Sequence, residues 1–311
     1  MNDRNGRGRF RTRRRQFLGT VCGVGFGTLI KRNVAGRKVS QSESTRERWS
    51  FETNHIVDSS PTVVDETVYI GSGDYKINAL HAEKGVRRWK FGTHSPVVSS
   101  VTVVDDMVFF TTISGRIYGL KWNKFNQDWW EFEVEAGGGL KSSPAVVDGT
   151  VFFGAYRAVY ALDAATGEKQ WQFETGDRVL SSPTVVGDTL YIGCLDQFIY
   201  ALDTSTGNLK WKFETGREVF SSPTVFGGTV FVGGLDRKFY ALDSETGEEK
   251  WQFETNSTVN SSPTVYEGTV FFGSDNVYAL DAETGAIQWH SDNCGYVFSS
   301  PTIADGTVFV G

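Results

Sequence analysis

The sequence predicts an all-β protein built from one repeated four-stranded unit. Three observations carry that prediction. A twelve-residue phrase, Tyr200–Trp211 (YALDTSTGNLKW), recurs as Tyr160–Trp171, Tyr240–Trp251 and Tyr278–Trp289. A Ser-Ser pair, followed by Pro in all but one unit, begins at Ser59, Ser99, Ser142, Ser181, Ser221, Ser261 and Ser299, at steps of 38 to 43 residues. Each interval holds short apolar runs broken by Gly- and Asp-containing turns, in a chain rich in Gly and aromatics and poor in Pro. A period near 40 residues with four such runs suits one blade of a β-propeller.

In chain order, the first forty residues stand apart. Arg13-Arg14-Arg15-Gln16-Phe17-Leu18 leads into the fourteen-residue apolar run Phe17–Ile30, which contains four glycines and is followed by Lys31-Arg32. Such a run is too short and too mild to span about 30 Å of hydrocarbon. Paired arginines, one spacer and Phe-Leu ahead of a mild apolar region resemble a twin-arginine export signal. The other reading is a basic tail beside a chance apolar stretch. We assign 1–30 to the signal, 31–45 to a polar linker and 46–311 to the repeat body. No clean cleavage site follows, so an uncleaved signal is the one membrane contact the sequence offers.

The unit from Ser181 shows the expected blade. Ser182–Val186, Leu190–Gly193, Phe198–Leu202 and Leu209–Glu214 are the four strands. Gly187-Asp188 turns the first hairpin, and Asp148-Gly149, Gly227-Gly228, Glu267-Gly268 and Asp305-Gly306 do so elsewhere. These pairs favour the positive φ of tight hairpins. In the later turn an Asp oxygen can accept backbone N–H bonds and a Gly takes the left-handed position. The turn residues are Asp163 and Gly167, Asp203 and Gly207, Asp243 and Gly247, Asp281 and Gly285. Pro183, Pro223 and Pro263 open their first strands; lacking an N–H, they place that strand at a sheet edge, along a central channel.

Trp49, Trp89, Trp129, Trp171, Trp211, Trp251 and Trp289 recur once per unit and are expected to pack between neighbouring blades. The first two units have drifted, to ALHAEKGVRRW and GLKWNKFNQDW. Six units are complete. A seventh is expected to be split, with its first two strands from Ser299–Gly311 and its last from Arg46–Thr53. Nothing like YALD precedes Trp49, so this blade, the last of about seven, should be incomplete.

Charge and cysteine exclude several functions. Residues 1–40 hold eleven basic side chains against Asp3 alone, a charge of +10, so with −6 overall the remainder carries −16. A body this acidic repels phosphate backbones and argues against nucleic-acid binding. Cys22, Cys194 and Cys294 form no CxxC or adjacent pair.

The phrase A-x-D-x-x-T-G-x-x-x-W is read in full at Ala161–Trp171, Ala201–Trp211, Ala241–Trp251 and Ala279–Trp289. It resembles the motif of the pyrroloquinoline-quinone-like repeat propellers. The resemblance covers residues 46–311 and implies seven or eight blades docked together by the Trp. It also implies one of two functions. Some members are quinone-dependent dehydrogenases that bind the quinone and Ca²⁺ and oxidise alcohols or sugars. Others are scaffolds without cofactor, such as the propeller lipoprotein of the bacterial outer-membrane barrel assembly machinery. The dehydrogenases carry an adjacent-cysteine disulfide ring and a Ca²⁺ site beside a catalytic Asp. This chain has no Cys-Cys and only short loops.

No catalytic, cofactor-binding or metal-ligating set is therefore expected. The favoured reading is an exported scaffold that binds a protein at or outside the cell surface, in the periplasm or beyond. The quinone-dependent dehydrogenase is the alternative. The varied residues collect in the loops joining strands two and three and in the connectors between blades. Asp74, Asp196, Asp236, Arg237 and Asp275 lie in the former, and Arg178 and Arg217 in the latter. This face is the candidate partner-binding surface, against the alternative of a merely solvated rim.

Overall fold

A computed structural model describes residues 48–122, 127–134, 139–291, 295–304 and 306–311. The export signal and the linker lie outside these residues. Six four-stranded antiparallel sheets occupy 62–92, 102–133, 145–174, 184–214, 224–254 and 264–290, each with its strands in sequence order. A seventh sheet has two strands, Thr302–Ala304 and Thr307–Phe309. No helix is present among the described residues, and so none is long and apolar enough to cross a membrane. The first strands of consecutive sheets touch in sequence order from the first sheet to the seventh. The sheets are thus arranged around an axis as a β-propeller of about seven blades.

The fourth sheet shows how sequence makes a blade. Thr184–Val186, Thr189–Gly193, Phe198–Asp203 and Leu209–Glu214 are its strands. The second strand is buried throughout, whereas the fourth alternates exposed and covered residues around buried Trp211. Central strands in a stack of sheets are covered on both faces and read as continuous apolar runs; outer strands keep the period of two. The core is accordingly a set of inter-sheet clusters. One joins Phe152, Val159 and Trp171 of the third sheet to Leu190, Ile192 and Tyr200 of the fourth.

The Ser-Ser-Pro-Thr marker is a device for stitching sheets around the axis. The first Ser braces its own blade: Ser181 Oγ accepts from Gly193 N at 2.8 Å and donates to Gly193 O at 2.9 Å. The second Ser accepts from its counterpart in the preceding sheet. Ser100 N reaches Ser143 Oγ (3.0 Å), Ser143 N reaches Ser182 Oγ (2.9 Å), and Ser182 N reaches Ser222 Oγ (2.8 Å). Ser222 N then reaches Ser262 Oγ (2.9 Å), and Ser262 N reaches Ser300 Oγ (3.1 Å). One residue after the Pro, Thr184, Thr224 and Thr264 donate to the carbonyls of Pro223, Pro263 and Pro301, each at 2.6 Å. Proline suits this place because its carbonyl is used and an N–H is not needed.

At the chain ends the structure departs from expectation. Residues 48–53 lie in no strand. A fourth strand needs a third to pair with, and the seventh sheet has none among the described residues. Trp49 nevertheless docks on the first sheet: its Nε1 donates to Ala82 O at 2.8 Å, and it packs on Val68 and Leu80.

The serine relay predicts the effect of a small change. Ser222→Ala leaves the Ser182 N–H without its acceptor and is expected to lower the unfolding free energy by about 1–3 kcal/mol. Urea denaturation followed by tryptophan fluorescence measures it.

Candidate protein-binding face

Two sets of inter-sheet contacts decide which surfaces are free. The first is the indole seam. Trp171 Nε1 donates to Thr204 O (2.8 Å), Trp211 Nε1 to Ser244 O (3.0 Å), and Trp251 Nε1 to Ala282 O (3.3 Å). Each acceptor follows the Asp of the next sheet's turn. That turn is held by the Asp itself. Asp203 Oδ1 accepts from Thr206 N (2.9 Å), Thr206 Oγ1 (2.9 Å), Ser205 N (3.1 Å) and Ser205 Oγ (2.6 Å). Asp163, Asp243 and Asp281 each accept from the N–H and hydroxyl of their own turn Thr. Gly207 closes the turn at φ 72°, and a Cβ there would lie 2.7 Å from the Trp171 ring. Gly167, Gly247 and Gly285 occupy the same place against Trp130, Trp211 and Trp251. Only glycine satisfies both the left-handed backbone and the ring lying flat on it.

These donors stabilise the ionised carboxylates. Hydroxyl bonds from Ser205 and Thr206, with backbone bonds from the same two residues, hold Asp203 down at about 2. Asp163, Asp243 and Asp281 are lowered by bonds from their turn threonines, with Lys250 adding to the effect at Asp243.

Three expected inter-blade tryptophans behave differently. Trp129 is half exposed, and its ring lies against Phe91 and Tyr118 within the rim of the second sheet. The indole that crosses to the third sheet is its neighbour Trp130, with Nε1 3.0 Å from Ala164 O. In the first sheet and the third to sixth, a register shift follows the residue paired with the Trp, as between Ala201 and Leu202. The second sheet has no such shift, so Gly119 pairs with Trp130 rather than Trp129. Equal sequence spacing therefore pointed one residue away. Trp89 is buried, stacked on Trp122 at 4.3 Å rather than on a Thr-Gly turn. Trp289 pairs with Ala279 and lies beside Phe271, but is 43% exposed.

The second set of contacts lies on the opposite, connector face. Asp196 Oδ2 accepts from Gly176 N (2.7 Å) and from Tyr200 Oη (2.7 Å). Asp236 Oδ2 accepts from Gly216 N (2.7 Å) and from the Tyr240 hydroxyl. Asp275 accepts from Tyr278 Oη (2.9 Å) and Asn256 Nδ2 (3.2 Å). Asp74 pairs with Lys76 Nζ at 3.0 Å. Burial and the facing carboxylate push Tyr200 and Tyr240 far above the usual phenol range. These aspartates latch connectors to loops within the molecule. Cys194, buried, adds to the same seat: its Sγ donates to Asp177 O (3.3 Å), and burial pushes the thiol up to about 12.

What remains outward on this face is basic and aromatic. Arg178, Arg217 and Arg237 have side chains 51%, 63% and 58% exposed. Their neighbours Asp177, Glu218 and Glu254 sit at 4.0, 3.5 and 4.0 Å, exposed pairs that restrain them little. Phe220, Tyr296 and Phe298 are exposed on the connectors, the last two stacked on each other. Sequence analysis missed the aromatics. Their signal is local: each connector carries a buried Val two residues before Ser-Ser (Val179, Val219, Val297), with a side chain of opposite aspect next to it.

A quinone-and-calcium centre does not fit these residues. Among the described residues no group of three or more His, Cys, Asp or Glu could hold a metal ion. The connector-face carboxylates, the natural oxygen ligands for Ca²⁺, face their own loops.

Sheet, seam and connector together define a propeller of pyrroloquinoline-quinone-like repeats. Residues 26–155, 123–220 and 259–311 match the family described as outer membrane protein assembly factor BamB, and the chain belongs to that family. No curated protein matches the chain. Among solved structures it is similar to BamB from Moraxella catarrhalis, with 21% identity and a TM-score of 0.72 over 84% of each chain. It is also similar to the quinohemoprotein alcohol dehydrogenase ADHIIG from Pseudomonas putida HK5, with 15% identity and a TM-score of 0.68. That match covers 82% of this chain and 62% of the dehydrogenase. At such identities the likeness is one of fold.

Two outcomes test the seam. Trp130→Ala is expected to destabilise the protein by about 3 kcal/mol, and Trp129→Ala by about 1 kcal/mol, in urea unfolding. For Asp203, the folded-state pKa lies below the unfolded value. Its stabilisation is thus complete above about pH 4 and is lost as pH falls toward about 2. Carboxyl carbon NMR should place its midpoint near 2, and Ser205→Ala/Thr206→Ala should raise it.

Proposed function

We propose that the protein is an exported, non-catalytic propeller scaffold that binds a protein partner through its connector face. The observation that carries this reading is the surface left over after the internal latches. Arg178, Arg217 and Arg237 project beside exposed Phe220, Tyr296 and Phe298. Arginine and aromatic side chains are enriched in the cores of protein interfaces. Short loops on a stitched ring present them with little loss of freedom on binding.

Membership of a family described as an outer membrane protein assembly factor supports a partner in the cell envelope. The twin-arginine pattern at Arg13-Arg14 supports delivery of the folded body by that route. The dehydrogenase alternative has no feature of its own in the chain: the Cys-Cys pair is missing. Its other requirement, a metal-binding cluster, is not found among the described residues.

The connector face is tested by crosslinking the full chain in its own cells and isolating its envelope partner. Arg178→Glu/Arg217→Glu/Arg237→Glu is expected to abolish the crosslink while leaving thermal stability unchanged. The aspartates are poor targets, since reversing Asp196 or Asp236 would break an internal latch as well. Retained crosslinking in the triple variant would sink this assignment. Dye reduction with alcohols or sugars after adding quinone and Ca²⁺ would sink the non-catalytic reading.

A further inference from the structure

The drifted second unit opens a cleft that the regular seams do not. It lies on the turn-bearing side, between the second and third sheets, with a volume of about 590 Å³, within the range of small-ligand sites. Its apolar wall includes Met107, Phe109 and Trp130. Three departures from the repeat line it. Met107 stands where Thr189 and Thr229 sit in later sheets, Lys121 where the turn aspartates Asp203 and Asp243 sit, and Trp129 where Lys210 and Lys250 sit. Those lysines fill the regular seams: Lys210 Nζ bonds Thr189 Oγ1 (2.8 Å), and Lys250 Nζ bonds Thr229 Oγ1 (3.0 Å) and Gly228 O (2.8 Å). In the second sheet the filling cation has been replaced by an aromatic ring that is 50% exposed.

The rim has kept its acids. Asp105 and Asp106 come from the first hairpin of the second sheet, Asp128 from its fourth strand, Asp148 from the first hairpin of the third, and Asp163 from the next turn. Lys121 is the one cation in the lining and is paired with Asp106 at 3.4 Å. Four carboxylates remain uncompensated around an aromatic lip and an apolar wall. An anion is repelled here, and a neutral apolar ligand leaves the acids without a counter-charge. A cation over the Trp129 face gains from both the ring and the rim.

We propose that this cleft binds an organic cation: a guanidinium or ammonium group on an apolar stem. The head lies among Asp105, Asp128 and Asp148 beside the Trp129 ring, and the stem runs along Met107 and Phe109. The ligand takes the place that Lys210 and Lys250 hold in the regular seams. The site is on the face opposite the connector surface and stands or falls apart from the reading above.

Titration calorimetry of the full chain with arginine amide, spermidine and a short Arg/Lys peptide tests it, with citrulline amide as the neutral isostere. Saturable binding of at least one cationic probe is expected, weaker at high salt and absent for citrulline amide. Binding by the free amines identifies a small-molecule cation as ligand; binding by the peptide alone identifies a basic segment of a protein. Asp105→Asn/Asp148→Asn is expected to weaken binding about tenfold or more. Asn tolerates the positive φ of both positions (52° and 48°), so this variant should keep its fold. Trp129→Leu should weaken binding about fivefold, and Trp129→Phe should recover most of that loss. No saturation with any cationic probe, equal binding of citrulline amide, or an unchanged affinity in the double Asn variant would overturn the proposal.

Discussion

An indole N–H that must find its acceptor one sheet away sets the geometry of the whole ring. In water that donor is satisfied anywhere; between two packed sheets it has one partner, a carbonyl of the neighbouring turn. For Trp171 this is Thr204 O at 2.8 Å. The turn must then hold that carbonyl in place, which Asp203 does through four bonds to two residues. It must also let the ring lie flat, which Gly207 does by having no Cβ. The motif is therefore split between two sheets, with the Trp of each copy completed by the Asp, Thr and Gly of the next. Such a motif cannot be satisfied by one unit alone, and its units stand only in an array.

This constraint also sorts surface from scaffold. On the turn-bearing side, the regular aspartates are spent on their own backbone and the regular lysines on the hairpin beside them. On the connector side, Asp196 and Asp236 look like recognition residues because they vary and are charged, yet each holds the backbone of an incoming connector. Charge on a loop is thus no guide to availability. Arg178, Arg217 and Arg237 are available because their nearest acids are as exposed as they are and restrain them weakly.

The parts of this fold that were legible in the sequence are those whose cause is local. Turn pairs, strand alternation and the Asp-x-x-Thr-Gly phrase each need only adjacent residues, and four intact copies make them unambiguous. The serine relay was not legible. Ser182 and Ser222 are 40 residues apart, and nothing near either one reveals that a hydroxyl serves a neighbour's N–H. The choice between Trp129 and Trp130 failed for a related reason. Spacing counts residues, whereas pairing counts register, and the shift present in five sheets is missing from the second. The strand expected over 46–53 failed because a strand is a property of a pair, not of a segment.

The second sheet can depart from the repeat because both its seams are secured by other means. Toward the first sheet, Trp122 offers Trp89 a stacked ring in place of a turn. Toward the third, Trp130 reaches the intact Ala164 carbonyl and lies on Gly167, so nothing is asked of the second sheet except the indole. With docking supplied by two aromatic residues, the positions that carry the turn's Asp and the seam's Lys elsewhere are released from structural duty. Lys121 and Trp129 now stand there, and the cleft lies between them and the third sheet. A repeat protein acquires individuality where the shared motif has become redundant, and in this chain that condition is met on the second unit's rim.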